Sequence, residues 1–245
     1  MAILFIHGFG GCGGVWYWQA EHFSRSGKVI CPDLPGHGVR PWNGEDLAAM
    51  AAIMVREVRA AGEETVDIVA SSFGGLVALK VWELVPALVR RLVFAGSLPR
   101  FTATDGFPAG LSPTRIRKLA GQIEEDLALA MEMFLRSLFT LKERKGVQYV
   151  KLRKLFQTLP LAKREALLAI LGMLEHEDKR EILGRVDKPV LFLFGDNDPI
   201  CPTVAAEALR KLCPSAQMEA FRSAGHFFFL SAPEVFNGRV ERFLA

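Results

Sequence analysis

The stretch VDIVASSFGGLVALK constrains this chain more than any other. An apolar, strand-like run, Val66–Ala70, passes into a helical pattern, Phe73–Leu84, through only two residues. Ser72 sits at the join, with Ala70 two positions before it and Gly74 two after. Such a turn strains the serine backbone and lifts its hydroxyl above the end of the sheet. Only small residues fit on either side. Gly75 then lets the helix pack close to the strand. Alone, the stretch also fits an ordinary strand-to-helix turn with a serine cap.

The rest of the chain repeats the alternation. Apolar runs of strand length recur at Ala2–Ile6, Lys28–Cys31, Val66–Ala70, Leu92–Ala95, Val190–Phe194 and Met218–Phe221. Helical patterns at Glu45–Ala61, Phe73–Leu84, Ala205–Leu212 and Val235–Leu244 separate or follow them. Strands alternating with helices predict a parallel sheet of about six strands covered on both faces. The alternation breaks after Gly96. Four helical patterns follow, near Pro113–Ile123, Asp126–Phe139, Tyr149–Leu159 and Lys163–Leu174. The expected organisation is an α/β core over 1–97 and 187–245, with an all-helical insertion, a lid, over 98–186. A chain of 245 residues, half of them apolar, can bury one such core. The net charge of +3 does not by itself suggest nucleic acid. Four cysteines without C-x-x-C spacing predict reduced apolar fillers rather than a zinc site. No apolar run reaches membrane-span length and no basic leader opens the chain, so a cytoplasmic protein with no membrane partner is expected.

Two later stretches add chemistry to Ser72. In PVLFLFGDNDPICP an apolar strand ends at Gly195-Asp196-Asn197-Asp198. In SAGHFFFLSAPEVF, His226 occupies a loop before the last helix. The order Ser72, Asp198, His226 is that of a nucleophile, acid and base assembled from three strand ends. The histidine would take the serine proton, and the carboxylate would fix its tautomer and stabilise the imidazolium. Asp198 is preferred over Asp196 because it lies farther past the strand. Asp196 is expected to anchor the turn through its own backbone.

The opening AILFIHGFGGCGGVW admits two readings. Gly8, Gly10 and Gly13 fit G-x-G-x-x-G, with Asp33 twenty residues on, which by the letter is a dinucleotide fingerprint. A glycine-rich loop at this strand end can instead carry an oxyanion donor. The N–H groups of Phe9 and of Phe73 would then form the hole. Asp33 belongs to the turn-rich DLPGHG, which favours the oxyanion reading. His7 and His37 are expected to order these loops, and His22 and His176 to sit on helices. No histidine or cysteine cluster has metal-ligand spacing.

Together, HGFGG, DLPGHG, SSFGG, GDNDPICP and AGHFFFLSAPEVF resemble, in order, the α/β-hydrolase superfamily. Within it the chain is similar to the pimeloyl-[acyl-carrier protein] methyl ester esterases of biotin synthesis, on HGFGGCGGVW, VFAGSLPRF and a helical lid containing MFLRSLF. The resemblance implies a cofactor-free serine carboxylesterase acting through an acyl-enzyme, with substrate held between core and lid. Carried over by position, Phe134, Leu135, Arg136, Ser137 and Leu138 would line or abut the acyl channel. An acidic acyl-carrier protein is the implied partner. Between Leu111 and Arg164, twelve basic residues face five acidic ones, which suits it. Two departures stand out: the one or two strands that usually precede the glycine loop are missing, and Ala70 replaces a glycine. Two other readings are a menaquinone-pathway lyase on the same scaffold and a non-catalytic ligand receptor. Such lyases resemble one another in an arginine just after the elbow glycines, where this chain has Leu76. An intact serine, acid and base set argues against a receptor.

Overall fold

The computed structural model describes residues 2–158 and 161–245. Its strands are β1 (Ala2–Ile6), β2 (Lys28–Ile30), β3 (Val66–Ser71), β4 (Val89–Ala95), β5 (Val190–Gly195) and β6 (Gln217–Phe221). They form one sheet in the order β2-β1-β3-β4-β5-β6, and every pairing is parallel. β1, β3 and β5 are buried at every residue, as strands covered on both faces must be. The chain starts inside the sheet. It adds β2 on one side of β1, then crosses to add β3 on the other. Loops leaving β1 and β3 therefore part, and a crevice opens at the carboxyl ends of these strands.

The covering helices are α1 (Tyr17–Phe23), α2 (Leu47–Ala60) and α3 (Gly74–Leu84). The Asp46 side chain starts α2 by accepting the Ala49 N–H at 2.7 Å. Between β4 and β5 lie α4 (Pro113–Glu125), α5 (Leu127–Ser137), α6 (Val147–Thr158), α7 (Arg164–His176) and α8 (Arg180–Arg185). After β5 come α9 (Ala205–Leu212), α10 (Phe228–Ser231) and α11 (Pro233–Leu244). Among the described residues, the segment after β4 thus has five α-helices where four patterns were legible. The fifth, α8, packs beside α3 and α9. The pattern expected over Tyr149–Leu159 starts two residues earlier, and its last residue lies outside the described ones.

Aromatic side chains fill the core beside β1 and β6. Trp16 stacks on Phe229 with centroids 4.4 Å apart, and Phe5, Phe23, Phe228 and Phe236 are fully buried around them. Each such side chain stabilises the fold by roughly 1.5–3 kcal/mol through burial alone. At the opposite, amino end of the sheet, the buried carboxylate of Asp67 meets the Arg90 guanidinium at 2.8 Å and Arg91 at 3.4 Å. That charge is paired where it stands, away from the crevice.

Candidate active site

Ser72 adopts φ 53°, a left-handed conformation that a non-glycine residue holds only when its surroundings enforce it. The enforcement is visible. Its N–H donates to the Ala95 carbonyl at 3.1 Å, and its carbonyl accepts the Ser97 hydroxyl at 2.7 Å. Space does the rest. A β-carbon on Gly74 would lie 2.6 Å from the Ile6 carbonyl oxygen, and one on Gly75 would lie 2.0 Å from Ser97 Oγ. A β-carbon on Gly8 would fall 2.8 Å from that of Ser72, so the loop after β1 lies directly over the turn.

Asp198 and His226 meet at Gly96, the residue after the Ala95 carbonyl that holds Ser72. Asp198 Oδ2 lies 2.8 Å from His226 Nδ1, and the two residues are only 5% and 1% exposed. The other oxygen, Oδ1, accepts the N–H groups of Ile200 at 2.7 Å and Cys201 at 3.0 Å. Those two bonds aim Oδ2 at the imidazole. The His226 N–H donates to the Leu138 carbonyl at 2.8 Å. Gly96, at φ 56°, packs against the pair: a β-carbon there would come 3.1 Å from the imidazole and 3.2 Å from Asp198 Oδ2. Ala95, Gly96 and Ser97 therefore touch all three residues at the end of β4.

Asp196 differs from expectation. Its Oδ1 accepts the Ala224 N–H at 3.2 Å and the Asn197 side-chain N–H at 2.8 Å. It ties the turn after β5 to the loop that carries His226, rather than closing on its own backbone.

The glycine loop is built by two neutral histidines. His7 Nε2 accepts the Leu34 N–H at 2.9 Å, and its Nδ1 lies 2.8 Å from the Gly8 carbonyl. His37 Nε2 accepts the Gly10 N–H at 3.2 Å, with Nδ1 3.0 Å from the Pro35 carbonyl. Burial, with the neighbouring His37, lowers the His7 pKa to about 3; burial also lowers that of His37. Asp33 is consumed inside the same loops. It accepts the Gly13 N–H at 2.8 Å and the Val39 N–H at 3.0 Å, one on each carboxylate oxygen. Among the described residues, no backbone acceptor takes the N–H of Phe9 or of Phe73.

A cavity of about 310 Å³ opens over Ser72, which is itself 8% exposed. Phe9, Phe101, Ile116, Leu119 and Phe134 supply apolar wall, while Arg115 and Lys118 stand on α4 beside them. Of the five residues expected near an acyl channel, Phe134 and Ser137 line this cavity. Leu135 and Arg136 do not: they face a second cavity of about 310 Å³ on the other side of α5, toward α6. Leu138 is buried and serves through its carbonyl. α5 is thus a partition. On its inner side, Phe134 meets Phe9 edge-on at 5.2 Å; Met131, which lines the second cavity, reaches Gly10.

One metal-like cluster emerges that spacing did not reveal: ligand atoms of Asp198, Cys201 and His226 lie within 4.8 Å of one another. Its donors suit a hydrogen-bond network better than a cation. Burial raises the Cys201 pKa well above that of an ordinary thiol, its S–H donates to the Gly96 carbonyl at 3.1 Å, and His226 Nδ1 faces Asp198. Ser97, Gly96 and Cys201 were the site neighbours that sequence reasoning did not assign. The first two stand in the quoted VFAGSLPRF, and small residues after a strand were the available signal.

A parallel sheet with a strained serine turn at its switch point defines the α/β-hydrolase class of fold. Residues 2–233 match the family described as alpha/beta hydrolase fold, and the chain belongs to that family. It is 31% identical over 244 residues to a pimeloyl-[acyl-carrier protein] methyl ester esterase of Vibrio parahaemolyticus, covering 98% of this chain and 93% of that one. It is 32% identical over 240 residues to the enzyme of the same name from Neisseria meningitidis serogroup B, covering 96% and 89%. Among solved structures, an esterase from Exiguobacterium antarcticum superposes with a TM-score of 0.90 at 22% identity, covering 100% of this chain and 92% of that one. At that identity the likeness is one of fold.

Proposed function

We propose that this carboxylic ester hydrolase works through a serine acyl-enzyme, and that its substrate is the methyl ester of a pimeloyl chain carried on an acyl-carrier protein. The observation that carries the mechanism is the buried 2.8 Å His226–Asp198 contact beside the strained Ser72. His226 takes the Ser72 proton as Oγ attacks the ester carbonyl. Asp198 holds the imidazole with Nδ1 protonated and stabilises the imidazolium. The oxyanion forms against the N–H groups of Phe9 and Phe73, which are fixed by the fold and need no reorganisation. His226 then protonates the departing alcohol. A water, deprotonated by the same imidazole, releases the acid and restores Ser72. The apolar wall from Phe9 to Phe134 takes the acyl chain. The helical segment over 98–186 acts as the lid, and Arg115 and Lys118 give its rim two cations for the carrier's anionic arm. Similarity to relatives named for this substrate supports the choice of ester.

A fluorophosphonate probe should label the wild-type protein and leave Ser72→Ala unlabelled. Specificity constants should favour carrier-linked pimeloyl methyl ester over short p-nitrophenyl esters. Labelling that persists in Ser72→Ala overturns the nucleophile. A preference for the short esters overturns the substrate.

A further inference from the structure

The helical segment carries one acidic side chain in the middle of a basic run, Lys142-Glu143-Arg144-Lys145. Locally it belongs to a capping box, Thr140-x-x-Glu143. The Thr140 N–H donates to Glu143 Oε2 at 2.7 Å, and the Glu143 N–H donates back to Thr140 Oγ1 at 3.2 Å. A capping box needs nothing more of the carboxylate. This one takes two further donors from far along the chain. Gly225 N–H, next to His226, donates to the same Oε2 at 3.0 Å, and Ser231 Oγ on α10 donates to Oε1 at 2.6 Å. Five residues earlier, the Leu138 carbonyl holds the N–H of His226 itself. Phe139 closes the contact by meeting Phe227 edge-on at 5.5 Å. Gly225 has no room for any side chain here, because a β-carbon would lie 2.5 Å from the Leu138 oxygen and 3.0 Å from Glu143 Oε2.

The geometry points to Glu143 as a positioning residue: through Gly225 and Ser231 it clamps the loop that carries His226 to the helical segment, and so sets where the imidazole stands over Ser72. This inference rests on the catalytic roles proposed above for Ser72 and His226. The loop has other supports, in Asp198 and in Asp196 through Ala224. From the lid side the Leu138–Glu143 strip holds it by hydrogen bonds, and α6 packs on α10 beyond it. A carboxylate that accepts from both flanks of the histidine fixes the loop's height as well as its direction. Misplacing a reacting group by about 1 Å costs on the order of 10²-fold in rate.

Glu143→Ala and Glu143→Gln test the clamp. The glutamine amide keeps an oxygen for Thr140 and Gly225, and turns its NH₂ toward the Ser231 hydroxyl. Glu143→Ala should lower kcat for a small p-nitrophenyl ester by about 10- to 100-fold with KM little changed. It should slow phosphonylation of Ser72 by a similar factor. It should also broaden or shift the low-field proton resonance of the His226–Asp198 hydrogen bond. Glu143→Gln should recover most of the rate. Normal turnover by a folded Glu143→Ala protein overturns the inference, as does a Glu143→Gln protein no better than Glu143→Ala. A loss of turnover with the resonance and phosphonylation rate intact also overturns it, leaving Glu143 only its local turn. If Glu143→Ala does not fold, Ser231→Ala removes one donor alone. A smaller loss of the same kind supports the clamp, and an unchanged phosphonylation rate refutes it. His226→Ala is the control for the reading beneath: if that protein still turns over ester, the catalytic assignment fails regardless of Glu143.

Discussion

Acid should loosen this protein through His7 and His37 before its carboxylates contribute. Both imidazoles are buried, their centroids lie 5.1 Å apart, and each accepts a backbone N–H on Nε2. Protonation replaces that acceptor with a donor and puts two like charges side by side, with Asp33 the nearby anion that raises both pKa values. The His7 pKa falls from 6.5 unfolded to about 3 folded, so between these values the unfolded chain binds the extra proton. Stability is therefore fully present above pH 6.5 and is lost as pH falls below it, at up to about 1.4 kcal/mol per unit for each group. Down to pH 4.5, His7 alone should cost about 2–3 kcal/mol, and His37 acts in the same direction. Against a typical total of about 5–15 kcal/mol, that is a large fraction. The carboxyl of Asp178, hydrogen-bonded by Arg180, has a folded pKa of about 2 against 3.8 unfolded, so its contribution is lost only below that window. Urea unfolding midpoints between pH 7.5 and 4.5 measure the effect. His7→Gln with His37→Gln should unfold more easily at pH 7.5, yet show a much flatter dependence on pH. The same slope in the double variant and the wild type would refute the assignment.

Two further outcomes are expected. Asp198→Asn should lower kcat by about 10⁴-fold by upsetting the imidazole tautomer, while Asp196→Asn, which loosens only the tie to Ala224, should cost no more than several-fold. Steady-state rates on one small ester decide between them, and a larger loss from Asp196→Asn would move the acid to that residue. Reversing the charges of Lys142, Arg144 and Lys145 should lower kcat/KM for a carrier-linked ester and remove its salt dependence, while a small neutral ester is turned over as before. Equal losses on the two substrates would make the basic turn an ordinary solvated surface.

The elbow was legible because its residues are dictated by contacts too close to vary. Gly74 and Gly75 face backbone and hydroxyl oxygens at distances no side chain tolerates, and Ser72 stands just before them at the strained position. The strands were legible for a related reason: buried on both faces, β1 and β5 read as unbroken apolar runs, and β3 as one broken only by Asp67 near its start. The short α8 and α10 escaped because six and four residues are too few for a helical period to show. For Asp196 the order of residues was informative but the loop path was not. Its carboxylate reaches Ala224 across two strand-end loops, and nothing local to GDND announces a partner 28 residues away.

The helical segment shows where periodicity stops discriminating. A helix packed on one side has one apolar stripe, and the stripe names the buried face. α5 instead separates two cavities, so it offers apolar side chains in two directions: Phe134 toward Ser72, Leu135 toward α6. Residues next to each other in MFLRSLF consequently belong to different chambers. Phe134 and Ser137, three positions apart, share one chamber, while Leu135 and Arg136 turn to the other. Helical geometry separates the pairs once the axis is oriented, but only contacts with other segments orient it. The inner side of α5 is fixed by Phe9 against Phe134, more than a hundred residues apart in the chain. Glu143 follows the same logic. Its capping box is written in four consecutive letters, whereas its bonds to Gly225 and Ser231 span 82 and 88 residues. The tie between the helical segment and the loop that carries His226 therefore depends on pairings that no local pattern encodes.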